Sequence, residues 1–373
     1  MIRNNDIWKK ITTGVFVIAE AGKNFIRSLE DRPVLEYLQN AKELVDKAIW
    51  AGADAIKFQT HDFVDEQLEI KIISPHFKGM DRYHWVKRNT DATPIEEFWK
   101  PLKQYCNQKG IIFFSTPMSR GAAYRLIEIG VPLWKIGSGD ILDFVCMDYL
   151  RNSGIPIIIS SGMSTMNEIK AAVSFLREKN NQVALVHCLS KYPGLPNEAN
   201  LAILQLFKEK FPDLPIGFSE NSISIEPSLI AVALGAKIIE KHITINREDW
   251  GSDHRVSSTP EEFRALVEGI RKIENSVEER NKWLHYPNMS EVLGKKEKIL
   301  KKDEKLFRPI FRKALVAARN LDAGTILDSK MVYAMRPQKY IKGLSSEKYE
   351  FVLGKKINKN LSKYEAISED ILS

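Results

Sequence analysis

Eight short apolar runs in this chain each end in side chains that can do chemistry. Val15–Glu20 closes on Glu20, Ala55–Gln59 carries Lys57 and Gln59, and Ile111–Ser115 is followed by Thr116. Leu133–Ile136 contains Lys135 and runs into Gly137-Ser138-Gly139-Asp140, and Pro156–Ser160 delivers Ser160 before Ser161-Gly162. Val183–His187 leads to Cys188, Ser190 and Tyr192, Pro215–Ser219 supplies Ser219, Glu220 and Asn221, and Lys237–His242 supplies Glu240 and His242. A lysine inside an apolar run is costly to bury without an anion. Lys57 and Lys135 therefore indicate either structural ion pairs with barrel carboxylates such as Asp140 or Glu240, or a ligand carrying phosphate and carboxylate. Hydroxyls and glycine-exposed backbone N–H groups around them suit a phosphate cradle. Taken singly, His187 and His242 read as core histidines and Cys188 as a small buried hydrophobe.

These residues need a scaffold that brings eight run ends to one place. The runs alternate with segments of helical period, such as Val34–Trp50, where Leu35, Leu38, Ala41, Leu44, Val45 and Ala48 share a stripe, and Pro94–Lys109, Arg120–Ile129, Met166–Glu178, Glu226–Leu234 and Pro260–Ile273. Strict alternation of strand and helix predicts a parallel sheet covered by helices, and eight units in this length fit a (β/α)8 TIM barrel, whose active sites lie at the C-terminal strand ends. A doubly wound sheet is the competing arrangement, but Glu20-Ala-Gly-Lys-Asn-Phe25 lacks a dinucleotide fingerprint. The connection from His61 to Thr93, with Pro75-His76-Phe77 and Asp81–Thr90, is too long for an ordinary βα loop and is expected over the barrel mouth. The expected organisation is a barrel over 1–278, a Lys- and Glu-rich linker over 279–308, and a small β-rich domain over 309–373, with strands at Ala314–Ala318 and Val332–Ala334.

Composition narrows the class further. The 373 residues are 44% apolar and 28% charged, as in a globular protein, and no window approaches the length of a membrane span. Three cysteines are too few for a disulfide framework, and the N-terminus has no apolar signal core, so a cytoplasmic protein with no membrane association is expected. The net charge of +7 is confined to the C-terminal part: residues 286–373 hold 19 Lys+Arg against 11 Asp+Glu, a balance of +8, whereas 1–285 hold 36 against 37. Without a binding motif or aromatic interleaving, this reads as a solvated surface or a field for an anionic substrate, not as a nucleic-acid interface.

The ordered motifs resemble one family. Val17-Ile-Ala-Glu-Ala-Gly22, Gly52-Ala-Asp-Ala-Ile-Lys-Phe-Gln59, Phe114-Ser-Thr-Pro117, Lys135-Ile-Gly-Ser-Gly-Asp140, Ser160-Ser-Gly-Met163, His187-Cys-Leu-Ser-Lys-Tyr-Pro193 and Ile239-Glu-Lys-His242 are similar to those of sialic acid (N-acetylneuraminate) synthases. Phe311–Ala317, Asp322-Ala-Gly324 and Arg336-Pro337 resemble that family's C-terminal antifreeze-like (SAF) domain. The resemblance implies condensation of phosphoenolpyruvate with an N-acylated mannosamine-type amino sugar, giving a nine-carbon 2-keto acid and phosphate, assisted by a divalent metal, Mn2+ or Mg2+. It implies that Lys57, Lys135, Thr116, Ser138, Ser160, Ser190 and Ser219 hold phosphoenolpyruvate. Gln59, Tyr192, Glu20 and Asp253 would then face the sugar or reacting centre. Arg336 would reach a partner's barrel from a swapped C-terminal domain, which makes a homodimer part of the expectation.

Two departures stand out. Family members commonly carry Ser-Asp-His after the seventh strand, where the histidine ligates the metal; this chain has Ser219-Glu220-Asn221. The metal ligands implied are then His242 with Asn221 or Glu220. The usual Gly-x-Asn-His-Asn-Gly after the first strand is here Gly22-Lys23-Asn24-Phe25, which places a new cation at the mouth. The alternatives are a synthase using a 6-phosphorylated amino sugar and a non-catalytic or metal-impaired sugar-binding homologue.

Overall fold

A computed structural model describes residues 4–73, 80–191 and 193–373. The eight runs form parallel strands β1 (Phe16–Gly22), β2 (Ala55–Thr60), β3 (Ile112–Pro117), β4 (Trp134–Ile136), β5 (Ile157–Ser160), β6 (Val183–Cys188), β7 (Ile216–Glu220) and β8 (Ile238–His242). They pair in sequence order and close through β1 and β8 into a barrel, so the (β/α)8 expectation holds. Because side chains alternate across a strand, every second residue faces the barrel interior. The interior sequence is apolar below and polar above: Phe16-Ile18-Glu20 on β1, Ala55-Lys57-Gln59 on β2, Ile112-Phe114-Thr116 on β3 and Ile238-Glu240-His242 on β8. The intervening residues, such as Val17, Ile56, Phe113, Ile159, Phe218 and Ile239, face outward into the core shared with the helices.

That outer core explains the helical stripes. In Val34–Trp50 the residues Leu38, Ala41, Leu44, Val45 and Ala48 are buried, whereas Leu35, assigned to the same stripe from its spacing, is exposed at the first turn. Pro94–Lys109 is interrupted: its first turns, Ile95–Trp99, form a π-helix before α-helix Lys100–Lys109. Helix Asn4–Thr13 was not evident from its polar composition. It buries Ile7 and Ile11, spaced by four, against the apolar floor of the barrel, with Trp8 half-buried beside them.

The stretch expected as a linker is largely ordered, with helices Val277–Leu284, Met289–Leu293 and Lys302–Phe311. Beyond it, β9 (Ala314–Ala317) and β10 (Val332–Met335) pair antiparallel, and isolated bridges such as Val316 with Ala366 and Leu321 with Leu361 extend the small β-rich fold. Among the described residues no helix is long and apolar enough to cross a membrane.

Candidate active site

A cavity of about 620 Å3 opens at the C-terminal ends of the barrel strands, within the size range of small-molecule sites. At its floor two buried lysines meet carboxylates from neighbouring strands. Lys57 Nζ lies 2.5 Å from Glu20 Oε2 and 3.6 Å from Glu240 Oε1, and donates to Thr116 Oγ1 at 3.2 Å. Lys135 Nζ donates to Ser160 Oγ at 2.7 Å and lies 3.6 Å from Glu240 Oε1. Glu240 thus balances both lysines, as one of the structural readings expected, whereas Asp140 turns to Arg336 and to Lys313. Burial pulls the Lys57 pKa down, but Glu20 and Glu240 outweigh it and the net shift is upward. Lys135 shares Glu240 and sits beside Lys57, and burial leaves its pKa lowered.

Ser138, Ser190 and Ser219 line the same cavity. The Ser190 hydroxyl oxygen is buried without a hydrogen-bond partner among the described residues. Gly162 makes room for it: a Cβ there would overlap Ser190 Oγ and approach Ser138 Oγ to 2.5 Å. Two ammonium groups and converging hydroxyls form a compact anion cradle.

The cavity's upper part has a different character. Gln59 donates to Glu20 Oε1 at 2.8 Å and accepts from Lys23 Nζ at 2.5 Å, and Lys23 Nζ lies 4.3 Å above the Trp85 ring. Asp253 also lines this part. Arg336, wholly buried, bonds to Asp140 and lies 3.9 Å from Glu66 Oε1. Its backbone N–H donates to Glu66 O, and its carbonyl accepts from Leu68 N–H, so the C-terminal fold is stitched to the connection after β2. All these contacts lie within one chain. In this single chain the Arg336 side chain sits beside Asp140 at the mouth of the same chain's barrel. Tyr192 and Pro75-His76-Phe77 lie outside the described residues.

Several lining residues were not singled out from the sequence. Arg82 and Trp85 lie on helix Arg82–Asp91, within the long connection after β2 that was expected over the mouth. Phe307, Ile310 and Phe311 lie on helix Lys302–Phe311, which runs from the stretch read as linker across the expected boundary at 308 into the C-terminal domain; their apolar spacing in a charged segment was the available signal. Phe311 stacks under Arg82 at 4.7 Å, and burial together with the adjacent Arg336 lowers the Arg82 pKa to about 9.

Of the implied metal ligands, His242 and Asn221 line the cavity and Glu220 does not. Glu220 faces away from the cavity, accepting from Ser222 and Ser228 at 2.5 Å each and lying 3.4 Å from Lys241, so its assignment as a ligand is corrected: strand alternation turns it outward. Asn221 lines the cavity but its Nδ2 donates to Leu189 O at 2.8 Å, leaving only the amide oxygen as a ligand atom. His242 lines the cavity too. Among the described residues no three His, Cys, Asp or Glu side chains could hold a metal ion together. His254 is held by Thr244 at 2.7 Å and does not line the cavity, and His187 bonds to Ala199 O at 2.8 Å in the outer core.

Comparison with known proteins adds a family. The NeuB family profile matches residues 44–282. The chain is 31% identical over 361 residues to the N-acetylneuraminate-9-phosphate synthase of Homo sapiens, covering 96% of this chain and 92% of the other. It is 30% identical to the N,N'-diacetyllegionaminic acid synthase of Legionella pneumophila over 93% and 91% of the two chains. The crystal structure of the spore coat polysaccharide biosynthesis protein SpsE of Bacillus subtilis superposes with a TM-score of 0.75 at 28% identity, over 96% of this chain and 95% of that one.

Proposed function

The chain belongs to the NeuB family, and from that premise we propose that it is a nonulosonic acid synthase, a transferase that condenses phosphoenolpyruvate with an N-acylated amino sugar to give a nine-carbon 2-keto acid and phosphate. The observation that carries this reading is the floor of the cavity, where Lys57 and Lys135 stand among Thr116, Ser160, Ser190 and Ser138 at the mouth of a (β/α)8 barrel. Phosphoenolpyruvate brings a phosphate and a carboxylate to that floor. The two ammonium groups screen its charge, and the serine and threonine hydroxyls, with Ser219, fix its orientation.

In this reading C3 of phosphoenolpyruvate forms a bond to the sugar's aldehyde carbon. Water then adds at C2 and the C2–O bond to phosphate breaks, with phosphate leaving on the electron pair. Glu20 stands between Lys57 and Gln59, at the junction of the two parts of the cavity, where a carboxylate can orient the reacting groups. Gln59, Asp253 and Arg336 bind the sugar's hydroxyl and acyl groups, with Tyr192 assigned to the same role by resemblance. Reaction in the reducing cytoplasm accords with three buried, free cysteines. One observation favours a phosphorylated acceptor as a second reading: buried Arg82 beside Arg336 places two guanidinium groups at the sugar end.

The test is phosphate release from phosphoenolpyruvate by the purified chain with a panel of N-acyl and di-N-acyl hexosamines and their 6-phosphates. Sugar-dependent release is expected with one class of acceptor. Sugar binding without release from any acceptor would replace the synthase by a binding protein.

A further inference from the structure

The metal expected from the family and the donors present at the cavity disagree, and the disagreement points to a different electrophile. Around the position between β7 and β8 the chain offers one imidazole, His242, and one amide oxygen, from Asn221; neither carries negative charge. The barrel acids that line the cavity are engaged elsewhere: Glu240 by Lys57, Lys135 and Ser219, Glu20 by Lys57 and Gln59, Asp140 by Arg336 and Lys313, and Asp253 by Ser252. Two neutral donors make a poor site for Mg2+ or Mn2+, which favour carboxylates and several oxygen ligands.

A cation is nevertheless built into the same cavity. β7, β8 and β1 are consecutive around the barrel, and Glu20 on β1 is in register with His242 on β8. The β1 register breaks between Glu20 and Gly22, and Gly22 takes a positive φ of 52°, turning the chain so that Lys23 enters the cavity. Gly22 packs so closely that a Cβ there would lie 3.3 Å from Gln59 Nε2 and 3.4 Å from Asp253 Oδ2. Lys23 is thereby held at the sugar end, with Gln59 as its neutral hydrogen-bond acceptor and Trp85 beneath it. A fixed ammonium in this position opposes a second, divalent cation and can itself stabilise developing negative charge.

We propose that this chain polarises the acceptor's carbonyl oxygen with the Lys23 ammonium, in a site that does not hold a divalent cation between Asn221 and His242. The proposal rests on the synthase reading. As C3 of phosphoenolpyruvate bonds to the carbonyl carbon, the carbonyl π electrons move to oxygen, which takes a proton from Lys23. Water adding at C2 returns one proton to Lys23; its second proton leaves with phosphate as the C2–O bond breaks and the 2-keto group forms.

Two measurements on the full chain test this. In a titration with Mn2+ alone, followed by electron paramagnetic resonance, the native chain is expected to bind no more tightly than about 1 mM, and Asn221→His to bind at least about tenfold tighter. In the phosphate-release assay the chelator-treated native chain retains its rate within about twofold, Lys23→Met loses about 100-fold in kcat with the KM for phosphoenolpyruvate unchanged, and Lys23→Arg, which keeps the charge, recovers part of the loss. Micromolar Mn2+ binding by the native chain, abolition of release by chelation, or full kcat in a folded Lys23→Met chain would each overturn the proposal. If no acceptor releases phosphate, the synthase reading and the role of Lys23 fail together, while the Mn2+ titration still decides the metal.

Discussion

At the scale of single residues, the floor of the cavity depends on how tightly hydroxyls and ammonium groups converge. Gly162 is the position where this is most exposed to test, since its missing side chain leaves the space into which Ser138 and Ser190 turn. Gly162→Ala is expected to raise the KM for phosphoenolpyruvate by about 10–100-fold and to leave the acceptor's KM nearly unchanged, because a misplaced cradle costs binding and orientation at one substrate only. Steady-state kinetics with each substrate varied in turn checks it; an unchanged phosphoenolpyruvate KM would remove the cradle from the mechanism. The same scale shows how alternation sorts neighbours: Ser219 and Asn221 line the cavity while Glu220 between them pairs outward with Lys241.

At the scale of the strand, the outward face has its own chemistry. His187 on β6 sits between the barrel and Phe207, with its Nε2 donating to Ala199 O. Burial lowers its pKa to about 3, so the folded chain holds it neutral, whereas an unfolded chain protonates it near the ordinary value of 6.5. Below pH 6.5 the unfolded state binds the extra proton, so stability is fully present above that pH and falls as pH drops toward 3, by about 2 kcal/mol at pH 5 from this group. Urea unfolding at pH 7 and pH 5 measures the loss, and His187→Gln, which keeps a donor without titrating, is expected to show less of it. An equal loss in both chains would assign the acid sensitivity elsewhere. The βα rhythm was legible because β-branched runs and helical stripes differ in period. Helix Asn4–Thr13 was not, because two buried isoleucines among polar residues carry too little periodic signal.

At the scale of the whole molecule, the C-terminal part completes the cavity. Helix Lys302–Phe311 lies over the mouth, with Arg308 paired to Glu168 and Glu304 accepting from Met163 N–H, and Arg336 reaches Asp140 from beyond it. Arg336→Ala should raise the acceptor's KM more than that of phosphoenolpyruvate. Mixing decides whether Arg336 serves its own barrel: with delivery in cis, an equimolar mixture of Arg336→Ala and Lys135→Ala chains, refolded together, gains no activity over the separate variants. Recovery toward about a quarter of the native rate, as random exchange between two copies would give, would show that the arginine is delivered in trans.

The sequence by itself determined the barrel, the polar ends of its eight strands and the resemblance that names their chemistry, because those features are written in local period and in residue type. It also located the two departures, Asn221 and Lys23. What only the tertiary structure decided depends on contacts between distant segments: that Glu240 serves both lysines, that Glu220 is turned away, that Arg82 and Phe311 meet across more than two hundred residues, and that Arg336 meets Asp140 at the cavity. No local pattern encodes these, since each is set by the closure of the barrel and the path of the chain over its mouth.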